Sequence, residues 1–117
     1  MKDKMTVNVL GTEYTIEKRK RENDAKLQEA DGYTDTSVKL IVIEEMQPEQ
    51  GSKLDLEYYA KAVIRHELIH AFLFESGMDS NTHCCDMGLA RNEEMVDWFA
   101  IQFPKILEAF KAVGALK

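Results

Sequence analysis

The chain has 117 residues, of which 44% are hydrophobic and 31% are charged, and its formal net charge is −6. This length and composition are typical of one globular domain, so residues 1–117 are expected to share a single core, without a separate substrate-binding domain. An acidic domain can still bind nucleic acid through a local basic patch, but no nucleic-acid partner is expected here. The one dense basic run, residues 18–21, is interpreted as a solvated turn or helix start because acidic residues flank it.

The N-terminus and the cysteines bear on the cellular compartment. The first residues open no apolar segment of a signal peptide, and no apolar run approaches the roughly 18 residues of a membrane span. The two cysteines, Cys84 and Cys85, are adjacent, so they cannot link distant parts of a fold. We therefore expect a cytoplasmic protein with no membrane partner.

The first half of the chain predicts a small antiparallel sheet. Residues 5–10 and 13–17 alternate apolar and polar side chains, and Gly11-Thr12 between them suits a two-residue hairpin turn. Residues 20–29 are highly charged and predict a short surface helix. Residues 37–45 contain the β-branched run Val-Lys-Leu-Ile-Val-Ile, which predicts a strand buried on both faces.

A long helix is predicted from about Leu54 to Ser76. Ser52 or Asp55 can cap its start, and Gly77 stands where glycine favours the end of a helix. Its apolar residues point in nearly every direction around the axis, which predicts a buried helix.

A polar loop over residues 77–91 leads to a second helical stretch. Asn92 can cap its start, and Pro104 is expected to divide it into one helix ending at about Phe103 and another ending at about Val113. Trp98 lies among apolar residues on this stretch and is expected to belong to the core.

The segment His66-Glu67-Leu68-Ile69-His70 has the pattern of a metal site. His66 and His70 are four residues apart, which places two imidazoles on one helix face, where they can hold one zinc ion. Glu67 is rotated from His66 by about 100°, so it can reach a metal-activated water without being a ligand. The pattern is the H-E-x-x-H motif of zinc metallopeptidases. The alternative, two core histidines satisfied by hydrogen bonds, leaves three ionisable groups in a buried helix without a purpose.

The third ligand decides the class of metallopeptidase. Leu73 and Ser76 stand where a metzincin needs a glycine and a histidine, so that class is excluded. The later run Asn92-Glu93-Glu94-Met95-Val96-Asp97 resembles the Asn-Glu-x-x-x-Asp pattern of thermolysin-type gluzincins. That resemblance implies that Glu93 is the third zinc ligand and that Asp97 is the carboxylate holding a ligand histidine, His66. Glu93 and Asp97 are four residues apart and face the same way, which agrees with those roles.

The resemblance extends to the miniature gluzincins, which keep only a catalytic core, and to small phage or prophage proteins of bacteria. It lies mostly in the second half of the chain. It implies an α+β fold in which a small antiparallel sheet, with an edge strand near residues 38–45 lining the cleft, lies over a buried active-site helix and a following glutamate helix.

Several positions in the site stay open at this stage. Glu94, His83 or a cysteine are alternatives to Glu93 as third ligand. His83 is a candidate for stabilising the oxyanion, with Tyr33 and Tyr59 as weaker alternatives. Cys84 or Cys85 could cover the metal as a removable fourth ligand.

The expected function is a zinc-dependent endopeptidase. Glu67 is its general base, and its substrate is a peptide or protein bound as a strand. One alternative is a non-catalytic zinc protein that uses the same residues to stabilise its fold or bind a partner. Another is a regulatory peptidase of the prophage immunity type. Those proteins share H-E-x-x-H and a following glutamate near a Phe-Ala pair, which Phe99-Ala100 resembles.

Overall fold

The structure, a computed structural model, describes residues 3–46, 55–79 and 88–116. These residues form four strands followed by two long helices, so the predicted α+β class is confirmed. The elements are β1 (Lys4–Val9), β2 (Thr12–Arg19), β3 (Gly32–Asp35), β4 (Leu40–Glu44), α1 (Leu56–Glu75) and α2 (Glu93–Ala112).

The four strands form one sheet in the order β1-β2-β4-β3. β1 pairs with β2 and β3 pairs with β4 in antiparallel fashion, whereas β2 and β4 are parallel, so the sheet is mixed rather than wholly antiparallel. β4 lies between β2 and β3, and Ile41, Val42 and Ile43 are fully buried, as expected of an interior strand. The prediction that residues 38–45 supply the edge strand is therefore wrong. β3, which the sequence patterns did not reveal, occupies that edge.

The first hairpin turns one residue earlier than predicted. Val9 pairs with Thr12, so Leu10 and Gly11 form the turn, with φ values of 52° and 92°. Two successive positive φ angles define a turn whose twist matches that of the flanking strands. The φ of 92° favours a glycine at position 11, and the side-chain oxygen of Asn8 accepts a hydrogen bond from the Gly11 amide at 2.9 Å.

The charged stretch after β2 forms two short 3-10 turns, Arg21–Asn23 and Ala25–Gln28, rather than one surface helix. Its arginines are paired with carboxylates. Arg19 contacts Asp24 at 2.9 Å, and Arg21 contacts Glu44 at 2.6 Å. Both arginines of residues 18–21 are therefore engaged with carboxylates of the same chain.

α1 packs one face on the sheet. Its only buried residues are Glu67 and Ala71, and the rest of its apolar side chains are half-buried or exposed, so the prediction of a helix buried all round is wrong. The core lies between this face and the sheet, where the buried cluster consists of Val9, Tyr14, Ile16, Ile41, Ile43 and Ala71.

The last turn of α1 is joined to the sheet through Glu75. Its carboxylate accepts hydrogen bonds from the Tyr14 hydroxyl at 2.8 Å, from the Thr12 hydroxyl at 2.9 Å and from Lys39 at 3.1 Å. These donors, Tyr14 foremost, lower the pKa of Glu75. Burial and the same carboxylate raise the pKa of Tyr14. The contacts fix the helix axis relative to the strands, and with it the position of every residue on α1.

The ends of α1 follow the predicted signals. Asp55 caps the start, because its carboxylate accepts a hydrogen bond from the Tyr58 amide at 2.9 Å. The other candidate cap, Ser52, lies outside the described residues. Gly77 follows the helix with a φ of 84°, the conformation for which glycine is favoured at this position.

α2 begins at the predicted cap, since Asn92 accepts a hydrogen bond from the Met95 amide, but it does not end at Pro104. The expected division into two helices is wrong. Proline lacks the amide that would bond to the carbonyl of Ala100, and the Arg65 side chain donates to that carbonyl at 2.6 Å instead. Trp98 is 54% exposed, so its predicted place in the core is also wrong.

Among the residues described, no helix combines the length and the apolar character needed to cross a bilayer.

Candidate metal centre

Three side chains from the two long helices converge on one point. The Nε2 atoms of His66 and His70 lie 3.2 Å apart, and the Glu93 Oε1 atom lies 3.3 Å from the first and 2.5 Å from the second. These three residues could hold a metal ion. The sequence placed all three in one site, and the structure brings them together.

The distances between the donor atoms fit a small tetrahedral ion. Bonds of 2.0–2.1 Å to nitrogen or oxygen imply donor atoms about 3.3 Å apart around a tetrahedron. Two of the three distances match this value. The third, between His70 and Glu93, is shorter, but the Glu93 side chain is 72% exposed and is free to adjust by a small rotation. Two imidazoles and one carboxylate are also the donor set of a typical catalytic zinc.

The second nitrogen of each histidine has its own partner. His70 Nδ1 lies 2.6 Å from the carbonyl oxygen of Ala90, and His66 Nδ1 lies 3.3 Å from a carboxylate oxygen of Asp97. Both partners accept hydrogen bonds only. With a metal ion bound through Nε2, each Nδ1 would carry the ring proton and could donate it to its partner. Asp97 occupies the position predicted for it, whereas Ala90 was not foreseen because a backbone carbonyl has no sequence signal.

The contact between Arg65 and Ala100 sets how α1 and α2 meet. Arg65 precedes His66 on α1, and Ala100 lies one turn beyond Asp97 on α2. Because Arg65 donates to the Ala100 carbonyl, the two helices are joined directly beside the site. This contact holds Glu93 and Asp97, both on the first half of α2, opposite the histidines.

Glu67 lies beside the three donor atoms but is not one of them. Its side chain is buried, and its carboxylate approaches His66 Nε2 at 4.0 Å. Burial raises the pKa of Glu67, and a hydrogen bond from Thr34 and the charges of the two histidines oppose that rise. Thr34 donates to the carboxylate at 2.8 Å, and its hydroxyl also lies 3.0 Å from the Glu67 carbonyl. The carboxylate is therefore held in one orientation next to the metal position.

Thr34 reaches Glu67 because β3 approaches α1 closely. The approach requires Gly32, where an added Cβ would meet Val63 Cγ1 at 2.9 Å and the Val42 carbonyl at 3.0 Å. Sequence reasoning missed Thr34. The available signal was Gly32 followed by two residue types common in strands, Tyr and Thr, but four residues are too short for a period to stand out.

The carbonyl of Ala90 is positioned by a short anchored segment. Residues Leu89–Arg91 form a 3-10 turn, and the Arg91 side chain contacts Asp79 at 2.7 Å and 3.0 Å. A Cβ at Gly88 would lie 1.8 Å from the Asp79 carbonyl oxygen, so only glycine fits there. The same segment is held to Met78, whose carbonyl accepts from the Ala90 amide at 3.3 Å.

Open cavities lie on either side of the site. One of about 440 Å³ is on the His70 side, and another of about 490 Å³ is on the His66 side. Both border Gly32, Glu67 and Glu93, so together they form a cleft that passes the metal position. The first is also lined by Thr34, Thr36, Phe74 and Arg91, and the second by Tyr58, Tyr59, Val63 and Ile101.

The remaining sequence candidates are His83, Cys84, Cys85, Tyr33, Tyr59 and Glu94. His83, Cys84 and Cys85 lie outside the described residues, so their predicted roles stay predictions. Tyr33 and Tyr59 border the two cavities, but their hydroxyls donate to Asp24 and Asp31, and burial together with these contacts raises the pKa of each tyrosine to about 12. Glu94 is exposed and does not belong to the group that could hold a metal.

Comparison of the chain with protein-family models, with curated proteins and with solved structures finds no match. The resemblance to gluzincins therefore depends on the motifs and on the geometry described above.

Proposed function

We propose that the protein is a zinc-dependent peptidase that hydrolyses peptide bonds within a chain. The observation that carries the proposal is the convergence of His66, His70 and Glu93 on one point, with the carboxylate of Glu67 4.0 Å from His66 Nε2. Two imidazoles and a carboxylate with an adjacent free carboxylate are the groups that metal-assisted hydrolysis requires. The described residues offer three donors, whereas a structural zinc site usually takes four from the protein.

Each residue has a distinct task in this proposal. His66, His70 and Glu93 would hold zinc, which when bound polarises the scissile carbonyl and lowers the pKa of water. Glu67 accepts a proton from the attacking water and delivers it to the leaving amine nitrogen. Thr34 holds the Glu67 carboxylate in the orientation needed for both transfers. Asp97 fixes the ring of His66.

The cleft favours an extended peptide as substrate. β3 is an edge strand of the sheet, and Thr34, which contacts Glu67, lies on it. A peptide that paired with the outer edge of β3 would pass over the metal position and place side chains in the cavities to either side. The sequence predicted this pairing with a substrate peptide for residues 38–45. Because β4 is an interior strand, we assign the pairing to the edge strand Gly32–Asp35.

Metal analysis combined with a peptidase assay tests the proposal. Glu67→Gln is expected to retain one zinc ion per chain and to lose turnover, because the amide cannot accept the proton. Glu93→Ala is expected to lose both, since only two donors remain. Glu94→Gln, at the neighbouring exposed position on α2, is the matched control and keeps zinc and turnover. Equal activity of Glu67→Gln and the unchanged protein would refute the mechanism.

A regulatory peptidase that cleaves a repressor in the cytoplasm would have the same chemistry and a narrower substrate range. Incubation of Glu67→Gln with a cell extract and recovery of one bound protein would support that role. Broad cleavage of unrelated peptides by the unchanged enzyme would contradict it.

A further inference from the structure

The larger of the two cavities beside the metal position, of about 490 Å³, differs in charge from the smaller one of about 440 Å³. Both are bordered by Glu67 and Glu93, whose negative charges the positive charge of a bound zinc ion would offset. Among the described residues that border the smaller cavity, the other charged ones are Asp79 and Arg91, which form an ion pair at 2.7 Å. Their charges cancel, so the smaller cavity presents no net charge to a substrate.

The larger cavity carries an excess of negative charge. Its other charged residues, among those described, are Asp31, Asp97 and Arg65. The Arg65 guanidinium is held against α2, because its Nε donates to the Ala100 carbonyl at 2.6 Å and its Nη2 is shielded from solvent. Two carboxylates and one guanidinium leave one negative charge, and the guanidinium is the group that a ligand reaches less easily.

Both carboxylates of the larger cavity remain accessible to a ligand. The Asp97 side chain is 62% exposed, and one of its oxygens contacts His66 at 3.3 Å. Asp31 accepts a hydrogen bond from the Tyr59 hydroxyl and lies 3.4 Å from Arg21, yet its side chain is 37% exposed. The hydrogen bond to Asp31, burial and the charges of Asp31 and Asp97 raise the pKa of Tyr59 to about 12. Both carboxylates therefore act on the same part of the cavity.

The rest of the lining suits a long apolar stem. Ala62 and Val63 of α1 and Ile101 of α2 border the larger cavity, together with Tyr58, which is 60% exposed. Lysine and arginine side chains lay an apolar stem along such a surface while their cationic head reaches polar groups. An aromatic ring beside the cation adds a further attraction.

We infer that the larger cavity binds a lysine or arginine side chain of the substrate, with the stem along Val63 and Ile101 and the cation next to Asp31 and Asp97. The inference rests on the proposed function, which brings a peptide through the cleft. An acidic side chain would meet the same two carboxylates and be repelled. The chain's net charge of −6 also favours the approach of basic substrates. The substrate is therefore a basic peptide, cleaved at a fixed distance from the bound lysine or arginine.

Peptide binding tests this inference separately from catalysis. Fluorescence anisotropy is measured with zinc-saturated Glu67→Gln and short labelled alanine peptides that carry Lys, Leu or Glu at each position in turn. At one position, Lys is expected to bind about 5-fold more tightly than Leu, the ratio that one partly exposed ion pair supports, and Glu is expected to bind more weakly than Leu.

Substitution of Asp31 tests the origin of the preference. Asp31→Asn is expected to reduce the ratio of Lys to Leu affinity to about 2-fold or less, because the second carboxylate remains. The asparagine oxygen still accepts from Tyr59, and circular dichroism checks that the variant is folded. Asp35→Asn, at the far end of β3 and away from this cavity, is the matched control with the same change of charge and keeps the ratio.

A second variant reverses the charge of the cavity. Ile101 is 46% exposed, so Ile101→Lys is expected to fold and to make the Glu peptide bind more tightly than the Lys peptide. Equal or undetectable binding of the Lys and Leu peptides at every position, or equal effects of Asp31→Asn and Asp35→Asn, would overturn the inference. Preference for Lys peptides without hydrolysis of any peptide by the unchanged chain would support the cavity assignment and contradict the proposed function alone.

Discussion

Substitution of Thr34 by valine removes a hydroxyl that donates to the buried carboxylate of Glu67. The two side chains have nearly the same shape, so the change deletes a hydrogen bond of 2.8 Å without creating a cavity. A hydrogen bond to a charged group contributes about 1.5–3 kcal/mol. If that energy is lost from the transition state, kcat/KM for peptide hydrolysis falls by about 10- to 150-fold.

The same substitution changes the pH dependence in a defined direction. Burial raises the pKa of Glu67, and the hydrogen bond from Thr34 lowers it. Removal of that bond therefore raises the pKa further. Because a general base acts only when it is ionised, the acid limb of the pH–rate profile moves to higher pH.

The assay is a pH–rate profile with a quenched peptide, measured for Thr34→Val beside Thr36→Val. Thr36 lines the same cavity, and none of the described hydrogen bonds joins it to Glu67, so its variant serves as the matched control and keeps the original profile. Thermal unfolding of both variants separates a catalytic effect from a loss of fold. Thr34→Val with an unchanged kcat/KM and an unmoved acid limb would refute the role of Thr34.

Three further predictions concern the metal and the fold. Asp97→Asn should weaken zinc binding about 10- to 100-fold in a chelator competition, because His66 loses its charged partner, whereas Glu94→Gln should not. Gly32→Ala should lower the free energy of unfolding in urea by about 1–3 kcal/mol through its contact with Val63, and an unchanged value would disprove the close packing of β3 on α1. Glu75→Gln should lower the melting temperature at neutral pH but not in acid. Because the pKa of Glu75 is lower in the folded than in the unfolded chain, its ionised carboxylate stabilises the fold at pH values above the unfolded-state pKa. This stabilisation is lost as the pH falls through the folded-state pKa.

The grouping of site residues on the same helix was predictable from the sequence, because the helical period determines which side chains lie on one face. Four residues separate His66 from His70 and Glu93 from Asp97, and in each pair the spacing alone put both side chains on one face. The caps Asp55 and Asn92 were equally visible, since a capping side chain contacts an amide only three residues away.

The features that were missed depend on contacts between distant segments. α2 continues through Pro104 with Arg65 of another helix donating to the Ala100 carbonyl, and no local rule anticipates this contact. The edge position of β3 depends on sheet order, and Thr34 acquires its role only when β3 meets α1. Trp98 was misplaced because an apolar pattern indicates an apolar face but not whether the same chain covers it.

Titration of the metal-free chain with zinc, with peptide hydrolysis measured at each addition, tests the central claim most directly. If His66, His70 and Glu93 form one catalytic site, turnover rises in proportion to added zinc and reaches a plateau at one ion per chain, and Glu67→Gln binds the same ion without turnover. Hydrolysis that is unchanged after complete metal removal, or a chain that binds one zinc ion and hydrolyses no peptide, would contradict the account.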